Sequence, residues 1–197
     1  MKEYVLEQLV DDFLKHEGYF TRHNIKFRPR SNHPKFNLKQ DVVPSDIDVV
    51  AINLNRKGSR RVIAVSCKSW QAGFDPARKI LEIRKKRRIA GRPAWKRFRE
   101  LIVPKWSEAF ISKLREVSGS RRFTYWVVVT HLKKSNSRYD FQRDKQFRKA
   151  IRGCAIRIVT LNEILDKLYP ALTKIPAASE IGRALQLMKA AKWRPPR

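Results

Sequence analysis

The chain has 197 residues, with 45 Lys and Arg against 18 Asp and Glu, a formal net charge of +27 at pH 7, and 42% hydrophobic residues. That length suits one domain and excludes two ordinary ones, and that apolar content excludes a disordered basic tail. Two cysteines exclude a disulfide framework, and no Cys/His cluster has zinc-ligand spacing. The charge favours a polyanionic partner, which could be nucleic acid, an anionic membrane surface or an acidic protein. The start Met1-Lys2-Glu3-Tyr4 lacks the apolar core of a signal peptide. Apolar runs such as 62–65 and 126–129 are strand-sized, well below the roughly 20 residues that span a bilayer. The expectation is a soluble, cytoplasmic, nucleic-acid-associated protein with no membrane attachment.

Residues 3–17 set Val5, Leu6, Leu9, Val10, Phe13 and Leu14 at helical spacing, and Gly18 follows as a stop. This predicted helix is acidic, with Glu3, Glu7, Asp11, Asp12 and Glu17 against Lys2 and Lys15. Residues 19–27 read as a strand, and 28–40 as a loop punctuated by Pro29, Ser31, Asn32 and Pro34. Two β-rich runs, 47–52 and 61–66, are joined by a connection containing Gly58 and read as a hairpin. Residues 77–90 and 94–117 read as helices divided by Pro93 and Pro104, and 123–130 as a buried strand. A helix over 140–151, a strand over 155–159 and a helix over 161–168 follow. Beyond Pro170 and Pro176, residues 179–192 carry Ile181, Leu185 and Met188 on one face and read as a docking helix or tail. The order predicts an α/β layered domain over 1–170 with a basic helical insertion at about 77–117, then a helical tail over 171–197.

The chemistry concentrates at the hairpin. Ser45-Asp46-Ile47-Asp48 opens its first strand and Val65-Ser66-Cys67-Lys68 ends its second, so pairing brings a carboxylate and a lysine to one sheet end. A carboxylate there can hold a divalent cation, and a lysine beside it can stabilise charge growing on a phosphoryl group; phosphodiester hydrolysis needs both. Glu7, at the edge of the first helix's apolar stripe, is a third candidate, with Glu3 one turn earlier as its rival.

These residues resemble the PD-(D/E)xK nuclease superfamily, closest in pattern to the branch of restriction endonucleases that cut modified DNA and archaeal Holliday junction resolvases. The resemblance runs through Leu6-Glu7-Gln8-Leu9-Val10, the Gly18-Tyr19 pair, Ser45-Asp46-Ile47-Asp48-Val49-Val50 and Ser66-Cys67-Lys68, within about the first 70 residues. It implies a restriction-endonuclease-like central mixed sheet flanked by helices. It also implies a Mg²⁺- or Mn²⁺-dependent endonuclease acting on duplex, branched or modified DNA, and leaves open a homodimer that cuts both strands. By position it implies Asp48, over Asp46, as the central metal ligand, Glu7 as the helix carboxylate, the Cys67 carbonyl in the metal shell and Lys68 as the catalytic lysine. Ser66 departs from the pattern, because that position is usually Glu or Asp and sometimes Gln. A neutral hydroxyl is a weaker ligand for a hard cation than a carboxylate. Three readings stand open: Ser66 acts through a metal-bound water, Asp75 or Glu82 has taken over, or the site is inactive.

Residues 78–105 hold twelve Lys and Arg against Glu82 and Glu100. Arg84, Lys85, Lys86, Arg87 and Arg88 are consecutive, and on a helix they repel one another unless phosphates supply a counter-charge. With Arg92, Lys96, Arg97 and Arg99 they form the candidate nucleic-acid-binding set. No helix-turn-helix or zinc finger is recognisable, so binding should read the backbone or the shape of DNA. Trp95, Phe98, Ile102, Trp106 and Phe110 recur at three- and four-residue steps and read as core, whereas Trp70 and Phe74, after Lys68, are better placed to touch a substrate. Cys67 and Cys154 read as small buried hydrophobes. Two rivals accompany the nuclease reading: a nuclease-fold DNA-binding protein without catalysis, and an RNA-binding protein for which the charge alone suffices.

Overall fold

In the computed structural model, which describes residues 3–134, 138–172, 177 and 179–193, the first apolar stripe becomes helix α1 (Glu3–His16). Leu6, Leu9, Val10, Phe13 and Leu14 are all buried along it. The helix ends where Gly18 takes φ 79°, its N–H bonding the Lys15 carbonyl at 3.0 Å while the Tyr19 N–H reaches Leu14 at 2.9 Å. This paired closure satisfies carbonyls the helix leaves free, and glycine adopts that φ without strain.

Strand β1 (Phe20–Phe27) pairs antiparallel with β2 (Ser45–Ile52), which pairs antiparallel with β3 (Val62–Lys68). Between β1 and β2 lies a four-residue helix, α2 (Leu38–Asp41), in a stretch expected to be loop as far as residue 40. Asn37 caps it by accepting the Lys39 N–H at 2.9 Å, and Asp41 anchors it by accepting from Lys105 at 2.5 Å and from the Trp106 indole at 3.0 Å. A long excursion follows β3, containing α3 (Pro76–Arg84), the two-residue strands β4 (Arg88–Ile89) and β5 (Arg92–Pro93), a 3₁₀ segment Ala94–Leu101 and α4 (Pro104–Ser118). The chain then enters β6 (Thr124–Val129), crosses through α5 (Arg138–Arg143) and α6 (Lys145–Ala150) to β7 (Ala155–Thr160), and closes with α7 (Leu161–Ala171) and α8 (Glu180–Ala190).

The sheet order is β1-β2-β3-β6-β7, with β3, β6 and β7 parallel, so the domain is α/β: a central mixed sheet flanked by helices. Alternation along the strands divides the core. Val62, Ala64, Tyr125, Val127, Ile156 and Ile158 join one cluster with Phe98, Trp106, Phe110 and Phe141, from the segments between β3 and β7. Val49, Ala51, Val65, Cys67, Trp126 and Val128 join the other, with α1 and with Ile164 and Leu168 of α7.

Three sequence expectations are corrected. Residues 77–90 are not one helix: α3 stops at Arg84, and Lys86 (φ 50°), Ala90 (φ 48°) and Gly91 (φ 75°) turn the chain into the small β4–β5 hairpin. A helix through 84–88 would stack like charges, and the hairpin spreads them. The expected helix over 140–151 is two helices, because buried Asp144 breaks it and caps α6 by accepting the Phe147 N–H at 3.0 Å. The helix expected over 161–168 runs on through Pro170 to Ala171. Of the two readings of 179–192, docking helix or tail, the described residues 179–193 show a docked helix: the Ser179 N–H and hydroxyl both donate to the Asp12 carboxylate of α1, and Leu185 meets the second cluster. A Cβ at Gly182 would lie 2.1 Å from Asp12 Oδ2, so glycine is what lets α8 approach α1. Of the tail, residues 173–176, 178 and 194–197 lie outside the described set. Among the described residues no helix is long and apolar enough to cross a membrane.

Candidate active site

Asp48 sits where β2 changes the face it presents. The pairs His23↔Val49 and Ile25↔Ile47 put Asn24 across from it, and Asn24 has φ 51°. On one side of this point Ile47 belongs to the same core cluster as Val50, whereas Val49 belongs to the opposite one. Regular alternation would send Ile47 and Val49 to the same face, so the strand rolls at Asp48. Asparagine tolerates the left-handed region that this roll requires of β1.

The carboxylate released by the roll is held across the hairpin. The Cys67 N–H donates to Asp48 Oδ2 at 2.6 Å, and Lys68 Nζ stands 4.0 Å from the same oxygen. Both side chains are largely shielded, at 16% exposure for Asp48 and 13% for Lys68. Asp46 is instead paired with Lys26 at 2.7 Å on the β1 side, so Asp48 is the acid that stands beside Lys68. Cys67 contributes main chain alone, since its side chain is fully buried. Cys154, by contrast with the expectation, is only half-buried.

Glu7 is half-buried on α1, and its charge is a minor contributor to the raised pKa of His23 on β1. The larger cause is Asp11, which accepts from His23 Nε2 at 3.0 Å. Burial alone would raise the Asp11 carboxyl, but hydrogen bonds from His23, Lys15 and Thr21 outweigh it and hold the pKa down to about 2. The side chain of Glu3 lies outside the described set.

Ser66 is buried below the site and acts to lower the pKa of Tyr125, whose hydroxyl donates to Glu100. Both Tyr125 and Glu100 are buried, and burial pushes the Glu100 carboxyl up, although the Tyr125 bond and the Lys68 and Arg99 charges oppose the shift. Burial, joined by the Glu100 charge, also pushes Tyr125 well above its ordinary value. A carboxylate at position 66 would therefore add a second acid to a pocket that already holds one, which gives a physical reason for serine here.

The two acids expected as substitutes are committed elsewhere. Asp75 caps α3 by accepting the Arg78 N–H at 3.0 Å, and Glu82 is paired with Lys79 at 2.5 Å and Arg78 at 2.9 Å. Burial would raise Glu82, but those two cations lower it on balance. Glu100 is the acid that sequence reasoning missed, having counted it only as charge in a basic run. Nothing in local spacing marks it, because its partner Tyr125 is 25 residues away.

These residues fit a shared cation better than a caged one. Among the described residues no three His, Cys, Asp or Glu side chains come together as a metal cluster. Mg²⁺ commonly takes one or two carboxylates and completes its shell with water and substrate phosphate. At the hairpin end the carboxylate beside Lys68 is that of Asp48.

The candidate binding cations lie on the excursion after β3. Arg84, Lys85, Lys86, Arg87, Arg88, Arg92, Lys96 and Arg97 are all exposed. Arg84 is paired with the Asp144 carboxylate at 2.7 Å, and Arg88 donates to the Gly91 carbonyl at 2.6 Å. Arg99 differs, lying half-buried with its guanidinium 4.4 Å from the Trp106 ring centroid; burial lowers its pKa. Phe74, expected to touch substrate, is 1% exposed and belongs to the core, whereas Trp70 is half-buried beneath Lys79 and Arg97.

No protein-family model and no curated protein matches the chain. Among solved structures it is similar to a protein of unknown function, AF1548, at 12% identity and a TM-score of 0.42, over 96% of this chain and 78% of that one.

Proposed function

We propose that the chain binds DNA and hydrolyses its phosphodiester backbone at the end of the β2–β3 hairpin. The observation that carries this reading is the pairing of Asp48 with Lys68 at 4.0 Å, on strand ends held together by the Cys67–Asp48 bond. Exposed cations border it, since Arg97 reaches Trp70, two residues beyond Lys68. An incoming phosphate exchanges its counter-ions for these side chains, and Lys68 then offers its ammonium to a non-bridging oxygen as negative charge grows there. A Mg²⁺ or Mn²⁺ ion held by Asp48, with Glu7 and the Cys67 carbonyl as further oxygen donors, would polarise the phosphate and lower the pKa of its water.

A second reading is favoured by Ser66 and by the lack of a three-donor cluster among the described residues: a DNA-binding protein of similar architecture that does not turn over. Supercoiled plasmid incubated with the protein and Mg²⁺ or Mn²⁺ separates the two. Nicking by the wild type that Asp48→Ala and Lys68→Ala abolish supports the nuclease. Intact plasmid, branched DNA and modified DNA with wild type and variants alike would sink it and leave the binding protein. Equal or tighter affinity for RNA across a salt series would favour an RNA partner instead.

A further inference from the structure

A cleft of about 480 Å³ opens directly beyond Lys68, between the loop 69–75, α3 and the 3₁₀ segment. Its floor is carbon-rich, with Trp70 stacked on Phe74 at 5.1 Å between ring centroids. The loop is pinned in place: the Thr130 hydroxyl donates to the Trp70 carbonyl at 2.6 Å, and Phe74 exchanges main-chain bonds with the His131 carbonyl at 2.8 Å and the Lys133 N–H at 2.9 Å. Gly73 makes the tight approach possible, because at φ 76° a Cβ there would lie 2.5 Å from His131 Nε2. The cleft is therefore formed before any ligand arrives, and its size falls within the range of small-ligand sites.

Its rim is basic. Arg78, Lys79, Arg97 and Lys133 line it against Asp75 and Glu82. Glu82 is consumed by Arg78 and Lys79, while Arg97 and Lys133 have no carboxylate partner among the described residues. Lys79 Nζ and the Arg97 guanidinium each stand 5.3 Å from the Trp70 ring centroid. A flat apolar body fits the floor, and an anionic group fits the rim. A nucleotide has both, and bases stack on aromatic rings and on guanidinium planes.

We propose that this cleft receives one unpaired nucleotide of the DNA strand whose phosphodiester lies at Lys68, with its base against Trp70 and Arg97 and its phosphate at Lys133. This rests on the DNA-binding reading above. It makes the protein selective for DNA in which a base is already free or weakly paired, because extruding a paired base costs more unpairing and unstacking energy than extruding a mismatched one.

The test compares a short fluorescein-labelled duplex, fully paired, with the same duplex carrying one mismatch, by fluorescence polarisation with the full chain. The mismatched duplex should bind on the order of tenfold tighter, and Trp70→Ala should remove that preference while affinity for the paired duplex stays within about twofold. Lys133→Gln, which leaves the aromatic floor untouched, should weaken the preference in the same direction. 2-Aminopurine at the mismatch should be quenched by the wild type and not by Trp70→Ala. Equal affinities for the two duplexes, in a protein that still binds both, would overturn the nucleotide site alone. Failure to bind either duplex would overturn the DNA reading together with it.

Discussion

At the end of the β2–β3 hairpin, charge is paired, shielded and held by the sheet; in the excursion between β3 and β6, charge is exposed and held by short, irregular elements. Asp48 and Lys68 share one carboxylate oxygen within 4.0 Å, and a main-chain N–H fixes that oxygen in place. Arg84 through Arg97 stand on a helix end, a two-strand hairpin and a 3₁₀ turn, with one carboxylate partner, Asp144, among the described residues. A reacting group must be fixed to a fraction of an ångström, which a sheet supplies. Capture of a polyanion needs only positive potential over a surface, which loops supply at little cost in packing. On the proposed function, the chain would separate holding a phosphate from acting on it.

The largest expected effect concerns the exposed half. If six to ten phosphates are contacted, DNA affinity should fall by about 10³ to 10⁵ between 50 and 200 mM salt. A variant with Lys85, Lys86, Arg87 and Arg92 changed to Gln should flatten the slope of log K against log salt by about one for each lost phosphate contact. An unchanged slope would show that the excursion does not meet the backbone. The paired half should respond in the opposite way: Lys68→Met should lower cleavage by roughly 10²-fold or more with DNA affinity changed only a few-fold. If instead binding collapses and turnover of bound DNA is unchanged, the two regions have exchanged roles.

The roll of β2 offers a sharper test of the sheet's part. Asn24→Val forces a β-branched residue into φ 51° and should destabilise the fold by about 1–2 kcal/mol, read as a lower denaturation midpoint, while Asn24→Gly should be tolerated. Glu100 tests the buried cluster. Its folded pKa is raised, so the stability it contributes is present below its unfolded value near 4.5 and is lost as pH rises through the folded value. Glu100→Gln should therefore match or exceed the wild type in thermal midpoint, with the gap widening as pH rises from about 4.5. A gap that narrows would mean that Lys68 and Arg99, not burial, control this acid.

The smallest effect belongs to His23 and Asp11, at the rim. Asp11, held down to about 2, loses its contribution as pH falls from about 4 toward that value. His23 is raised, so its contribution is complete below about 6.5 and fades as pH climbs through its folded value. His23→Gln should thus cost stability mainly between about pH 4 and 6.5, by about 1 kcal/mol or less because the imidazole is partly exposed. Thermal midpoints across pH would show it.

Most of the frame was legible in the residues. Apolar spacing located α1, the strands from 20 to 27, 62 to 68 and 124 to 129, and the final helices, because each element buries a face whose period is written in consecutive residues. Asp48 and Lys68 were legible for the same reason: a hairpin joins neighbouring strands, so proximity across it follows from local pairing. The helix expected over 77–90 failed because its composition looked helical while its charges repelled, and the docking partner of 179–192 was not legible because Asp12 and Gly182, the groups that meet there, are 170 residues apart in sequence.

The sequence by itself determined an α/β protein of strong positive charge with a carboxylate and a lysine at one hairpin end. Only the tertiary structure decided that Asp48 stands beside Lys68 while Asp46 pairs with Lys26, that Glu100 lies buried against Tyr125, that Phe74 is core, and that a basic, aromatic-floored cleft opens beyond Lys68. Periodicity and pairing act between near neighbours and can be read along the chain. The cluster and the cleft instead join segments from α3, β3, β6 and the 3₁₀ turn, whose meeting depends on how the whole core packs.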